Sequence, residues 1–366
     1  MRIGLVIYGD LHQVSGGYLY DRKLVEHLED RGDEVVVFSQ PERPYPVGLV
    51  DNLDRSFWTR LRSSNLDLLL QDELNHASLA VGNYWLRRHL DAPIVAIVHH
   101  LRAQEQRSAL SSAASRVLEG MFLRSMDARI YNSRSTKRSV EALAGKCLDV
   151  VARPSGRRFG PPVSPECVSR RAVPDGPLQL LFVGNLTPRK RLHLLIEGLA
   201  QIPSTSWTLE VVGDVSAHEA YTATVRRSLR RLDDPSRVTM HGQASDDALK
   251  GLLDASHALA VPSAHEGYGI VYVEAMGRGL PVLASPRGGV RDVVRDGETG
   301  YFVETADDIA DAVATWADDR RRLAKMGRAA VAQYRSTPTW PETCRRVASF
   351  LDRIVKTSPL HSSNTP

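Results

Sequence analysis

The chain has 366 residues, 42% of them hydrophobic, which is about two globular domains. Its formal net charge is +4, and all but seven of its 47 basic residues are Arg, a side chain suited to phosphate or carboxylate on an anionic ligand or surface; most of these charges are expected to be solvated. Cys147, Cys167 and Cys344 exclude a disulfide framework and a C-x-x-C metal pair and suit a reducing compartment, and no stretch approaches the ~20 apolar residues that span a bilayer.

Near-continuous apolar runs of strand length come first at 3–8, 34–38, 67–71, 94–98, 128–131 and 149–152. The first run is too short for a secretory leader, so a cytoplasmic location is expected, with at most peripheral contact with a membrane. Helical patterns lie between the runs, as in 17–32, where Leu19, Leu24, Val25 and Leu28 form one stripe. Gly16 and Gly17 open that helix, where backbone can come close to a ligand, and the run at 94–98 ends in His99 and His100. Residues 157–177, rich in Pro, Gly, Ser and Arg, read as a connection after a first domain of 1–156.

The alternation then restarts, with runs at 178–184, 208–213, 237–242, 257–262, 281–285 and 300–303 in a second domain of 178–337. A capping box at Thr305 and Asp308 starts a helix with Ile309, Ala312, Val313 and Trp316 on one face. A last helix at 338–357 follows the second sheet and is expected to pack back on the first domain, and 358–366 is expected to be a disordered tail. The fold class is therefore α/β: two Rossmann-like, doubly wound parallel sheets, with the cleft between them as the default ligand site.

The stretch "PSAHEGYGIVYVEAMGRGLPVLAS" places Glu266 in a strand-to-helix turn and Glu274 about one and a half turns into the following helix. Gly267 and Gly269 allow close approach of backbone amides, and the helix start favours a phosphate. The pair thus frames an anion cradle with hydroxyl-accepting carboxylates, as a sugar nucleotide requires. A second strand, turn and helix, "LLFVGNLTPRKRLHLLIEGL", brings Arg189 and Lys190 to a helix start, where two cations can neutralise a diphosphate without metal. It is not a P-loop, the first Gly-rich turn lacks G-x-G-x-x-G, and no D-x-D or His/Cys cluster has metal-ligand spacing.

These motifs resemble the retaining glycosyltransferases of family 4, also called glycosyl transferases group 1, whose fold is GT-B. The resemblance runs from the Gly-Gly loop to the terminal helix, and E-x7-E is its most specific part. It implies a nucleotide-sugar donor, a UDP- or GDP-sugar, and a hydroxyl acceptor such as a glycan, lipid or small molecule, with no nucleic-acid partner, no metal and no other cofactor. It assigns Glu274 to the ribose and Glu266 to the donor sugar. Backbone of Gly267, Tyr268, Gly269 and Ile270 would meet the diphosphate, and Lys190 the phosphates. Gly16 and Gly17 would lie near the diphosphate and sugar, and His99 or its neighbour His100 at the sugar. The run His241, Gly242, Gln243 falls against the base. Asn185 stands where many members carry Arg, and Arg191 where many carry Gly; Arg189 is expected to supply the missing cation. Rival readings are a nucleotide-sugar epimerase or phosphorylase on the same fold, or a non-catalytic two-lobed binding protein.

Overall fold

The computed structural model describes residues 1–13, 15–43, 45–104, 109–172 and 176–357; the expected tail lies outside them. The chain divides into two compact units, Met1–Pro154 with Pro338–Pro366, and Ser155–Thr337.

In the first unit the strands are β1 (Arg2–Tyr8), β2 (Glu34–Gln40), β3 (Leu68–Asp72), β4 (Ile94–Val98), β5 (Ala128–Tyr131) and β6 (Leu148–Val151). They form one parallel sheet in the order β2-β1-β3-β4-β5-β6. Every residue of β3, β4 and β5 is buried, which is why these strands read as unbroken apolar runs. The second unit holds β7 (Leu178–Val183), β8 (Trp207–Val212), β9 (Val238–Gly242), β10 (Ala258–Val261), β11 (Val282–Ala284) and β12 (Gly300–Phe302). Its order is β12-β11-β10-β7-β8-β9, again all parallel.

One expectation about boundaries changes. Residues 157–177 are not a bare connection: they contain the helix Pro165–Ala172, whose Val168 and Ala172 are buried within the second unit. A Pro/Gly-rich composition concealed a short amphipathic turn pair between its breakers. The final helix, Trp340–Thr357, belongs to the first unit. Its Cys344, Val347, Phe350 and Leu351 share one apolar core with Ile3, Leu5, Leu24 and Leu28.

Chain order in the second sheet fixes where a ligand can sit. From β7 the chain runs on to β8 on one side, and from β10 to β11 on the other, although β7 and β10 are neighbours. The loops leaving their carboxyl ends diverge there, the topology at which open α/β sheets generally bind ligands. Those two loops are the ones that carry Lys190 and Glu266. In the first sheet the same reversal lies between β1 and β3, so the loops carrying Gly16, Gly17 and the end of β3 diverge there.

Candidate functional site

After β7 the backbone makes a single tight turn, Pro188–Lys190, passes through Arg191 at φ 52°, and enters the helix Leu192–Leu199. Arg191 is one of two non-glycine residues in the left-handed region among those described, the other being Asn65. An L side chain there carries a strain of roughly 1–2 kcal/mol, and glycine would not. That is the physical reason a glycine would suit this position.

After β10 the chain turns through Glu266 and reaches Gly269, at φ 89°, which leads into the helix Ile270–Gly277. The two turns are stitched together. Ala264 N donates to the Arg189 carbonyl at 2.7 Å, and Arg189 Nη1 donates to the His265 carbonyl at 2.9 Å. Lys190 Nζ donates to Glu266 Oε1 at 2.7 Å, and Arg189 Nη1 lies 3.1 Å from the same oxygen. Glu266 is 8% exposed. Burial alone would raise its carboxyl, but the Lys190 and Arg189 charges outweigh that and hold it far below the usual carboxylate range. Burial pulls the Lys190 ammonium down, with Glu266 opposing. Glu266 is therefore an ionised member of a buried cationic cluster, more constrained than the open carboxylate expected from the turn.

Glu274 stands in a different environment. It is 5% exposed on the helix Ile270–Gly277, its Oε1 makes no hydrogen bond, and its nearest cation, Arg158 Nη1, is 3.7 Å away. Arg158 is bonded to Asp246 instead. Burial pushes the Glu274 carboxyl up to about 7, Arg158 opposing and Asp246 assisting. An unsatisfied buried acceptor costs of order 1–3 kcal/mol. Hydroxyl groups of a ligand would relieve that cost. The two glutamates have thus been sorted: one neutralised by cations that could serve phosphate, the other waiting for donors.

Glycines missed by motif reading shape this turn from the outside. A Cβ on Gly288 would stand 2.0 Å from the Glu266 carbonyl oxygen, and one on Gly289 2.0 Å from that of Gly267. Gly289 N donates to the Glu266 carbonyl at 2.8 Å. The signal was the adjacent glycine pair just after β11; nothing in the sequence pointed to Arg158.

The remaining expected donor residues divide between the units. Gly267 is half-buried, Tyr268 buried and Ile270 half-buried, all in the turn or the first residue of its helix. Asn185 is exposed, and its side-chain oxygen accepts from Asp214 N at 3.1 Å, so it braces the loop after β8. The Gly242 carbonyl accepts from Gly213 N, and Gln243 follows it on the surface. Gly16, Gly17, His99 and His100 lie in the first unit. Gly16 and Gly17 begin the helix Gly16–Asp30, capped by Ser15 Oγ accepting from Tyr18 N. His99 is buried with Nε2 3.3 Å from Asp21 Oδ1, and His100 is half-buried beside it.

The sequence offered no acid/His cluster by spacing, yet the fold assembles two in the first unit, Asp21 with Asp72 and His99, and Glu73 with His76 and Glu119. All three cysteines are free, and no helix among the described residues is long and apolar enough to cross a membrane.

Residues 166–333 match the sequence model of the glycosyl transferases group 1. A D-inositol 3-phosphate glycosyltransferase of Nocardia farcinica is 27% identical over 365 aligned residues, covering 87% of this chain and 80% of that one. Sucrose-phosphate synthase of Thermosynechococcus elongatus has the same fold at a TM-score of 0.81, 21% identity and coverage of 98% and 100%. Anabaena HepE, solved with UDP and glucose, matches at a TM-score of 0.74, 21% identity and coverage of 96% and 99%. Fold and family match together support a glycosyltransferase of GT-B architecture.

Proposed function

We propose that this protein transfers a sugar from a nucleotide-sugar, a UDP-sugar before a GDP-sugar, to an acceptor hydroxyl with retention of anomeric configuration and without metal. The observation that carries the reading is the sorting of charges at the reversal point of the second sheet. Lys190 and Arg189 form a cation pair for a diphosphate, and Glu274 is a buried acceptor with an oxygen that takes no hydrogen bond. A ribose with adjacent hydroxyls next to a diphosphate satisfies both. The complex of HepE with UDP and glucose supports the choice of base. In the reaction the acceptor attacks on the face the diphosphate leaves, and the diphosphate takes the acceptor's proton. Lys190, Arg189 and the start of the helix Ile270–Gly277 stabilise the charge that develops on it.

Thermal unfolding with UDP-, GDP-, ADP- and TDP-sugars in EDTA tests the donor reading. A sugar nucleotide at one hundred times its Kd should stabilise the fold by ~2.7 kcal/mol. The Glu274→Gln variant should lose most of that response. It should also unfold at a higher temperature than the parent at pH 8 and at about the same temperature at pH 5. The sign follows from a folded-state carboxyl raised to about 7: protonation is favoured in the fold, so the carboxylate costs stability as pH rises above its unfolded value and fully so beyond 7. For the same reason donor affinity should strengthen from pH 6 to pH 8. No response to any sugar nucleotide, or a response needing added Mn²⁺, sinks the proposal.

Peripheral attachment to an anionic membrane is part of the same reading, and exposed apolar residues of the first unit support it. Leu53 is 81% exposed and Val117 61%, with Leu49, Val50, Val81, Tyr84 and Trp85 also exposed. Asn52 Oδ1 accepts from Val81 N and Gly82 N, and Tyr84 Oη donates to the Met121 carbonyl, which ties these segments to one another. Arg43, Arg55, Arg88 and Arg116 are exposed on the same segments. Apolar residues edged by cations suit a bilayer surface rich in anionic lipid. Flotation with phosphatidylglycerol vesicles should recover the protein, and neutral phosphatidylcholine vesicles should not. Retention of binding in Leu53→Asp with Val50→Asp, or no binding to the anionic vesicles, counts against it.

A further inference from the structure

The cluster around His99 goes beyond what the donor reading requires. Asp21 comes from the helix Gly16–Asp30, Asp72 from the end of β3 and His99 from the residue after β4. Both carboxyl groups are fully buried. Their ligand-type atoms and a ring nitrogen of His99 all lie within 4.8 Å of one another. His99 Nε2 is 3.3 Å from Asp21 Oδ1, and Asp72 Oδ1 accepts from Leu74 N at 2.9 Å. The second oxygen of each acid has no hydrogen-bond partner.

Other contacts lock the ring. Asn132 Nδ2 donates to the His99 carbonyl at 2.6 Å, and the Tyr20 ring meets the imidazole edge-on at 5.4 Å. A Cβ on Gly17 would stand 3.1 Å from His99 Cδ2, so the absence of a side chain there lets the ring lie against the helix start. No hydrogen bond to Nδ1 is found among the described residues.

We propose that Asp21 and Asp72 are positioning residues that keep His99 as an imidazolium, Nε2 held on Asp21, and so reserve its Nδ1–H as a fixed cationic donor to an oxygen of a ligand at the first unit. The ligand oxygen, a hydroxyl or a phosphate oxygen, rests on the proposed sugar transfer; the charge state of the ring does not. Two buried carboxyls side by side cannot both ionise without a compensating cation. The neutral arrangement is one carboxylate, one carboxylic acid and one imidazolium. Burial would depress the ring, but Asp21 first, then Asp72 and Glu73, outweigh it and push it up to about 9. Burial and the Asp21 charge push Asp72 up to about 8, His99 opposing. These acids, with the Tyr20 ring, are the titratable groups facing His99 from the first helix, from β3 and from the turn after it. An unpaired histidine would instead be mostly neutral at pH 7.5.

The test is a titration of the ligand-free full-length chain by heteronuclear NMR with labelled histidine, the His99 signal assigned by its loss in His99→Asn. In the parent protein His99 should stay doubly protonated at pH 7.5 and titrate near 9. In Asp21→Asn its midpoint should fall by about two pH units, and in Asp72→Asn by less, because Asp72 has no direct bond to the ring. On a donor accepted in the thermal screen, the alkaline limb of the kcat profile should move down with the NMR midpoint in Asp21→Asn. A parent His99 that is neutral at pH 7.5 overturns the proposal without needing either variant to fold. So does an Asp21→Asn midpoint that does not move. Calorimetry with MnCl₂ or ZnCl₂ supplies the remaining arm: tight binding that is abolished in Asp21→Asn would make the acids metal ligands and overturn it as well. A normal titration with no sugar-nucleotide response would instead locate the failure in the donor reading.

Discussion

Lys190→Ala should lower kcat by about 10²–10³-fold on the donor that stabilises the protein, with a much smaller change in KM. The effect is electrostatic. The Lys190 side chain is 13% exposed, its ammonium 2.7 Å from Glu266, in a place where water would screen little of what it does to a diphosphate. A cation matters most where charge builds up, which is on the leaving group in the transition state, so the loss falls on turnover. The variant should still fold. Arg189 remains 3.1 Å from Glu266, so the carboxylate is not left buried without a partner. Arg189→Ala should cost less, because its side chain is 32% exposed and solvent shares its work. Steady-state kinetics on both variants decides the matter; a Lys190→Ala enzyme with undiminished kcat would remove the diphosphate from this corner of the second unit.

Gly288→Ala should destabilise the fold by about 2 kcal/mol or more, seen as a melting temperature lower by roughly 4–8 °C, and should abolish donor-induced stabilisation. At φ 71° the backbone already disfavours any L side chain, and the added Cβ would meet the Glu266 carbonyl oxygen at 2.0 Å. That oxygen accepts from Gly289 N, so relief of the clash must shift the turn that carries the cationic cluster. Gly297→Ala is the control. It has the same φ of 71°, but a Cβ there meets nothing within 4 Å, so it reports the backbone penalty alone. If the two variants melt together and both still respond to donor, the turn tolerates displacement and close packing at Gly288 does not hold the donor site.

Strands were legible because strands buried on both faces leave an unbroken apolar trace, as in "IVAIV" for Ile94–Val98. The capping box at Thr305 and Asp308 was legible for a similar reason: it is a local device, and the structure has both of its hydrogen bonds. The E-x7-E motif pointed to the turn after β10 and the helix Ile270–Gly277. What it could not reveal was how differently its two acids are treated. Glu266 is neutralised by Lys190, 76 residues earlier, and Glu274 is left short of a partner by Asp246, which takes Arg158. Asp21 and His99 are 78 residues apart and meet only because the first helix and β4 converge on one end of a sheet. Burial and pairing over such distances belong to the topology, which no local spacing records. The helix Pro165–Ala172 was missed for the opposite reason: eight residues are too few for periodicity to stand out against the prolines before and after it.

The helix Trp340–Thr357 sets an order of events at the ribosome. Residues Ser155–Thr337 are continuous and can close their own core as soon as they emerge, whereas the unit begun by Met1 waits for its last segment. Until then the surface that Val347, Phe350 and Leu351 will cover stays wet, so the half synthesised first is the half completed last.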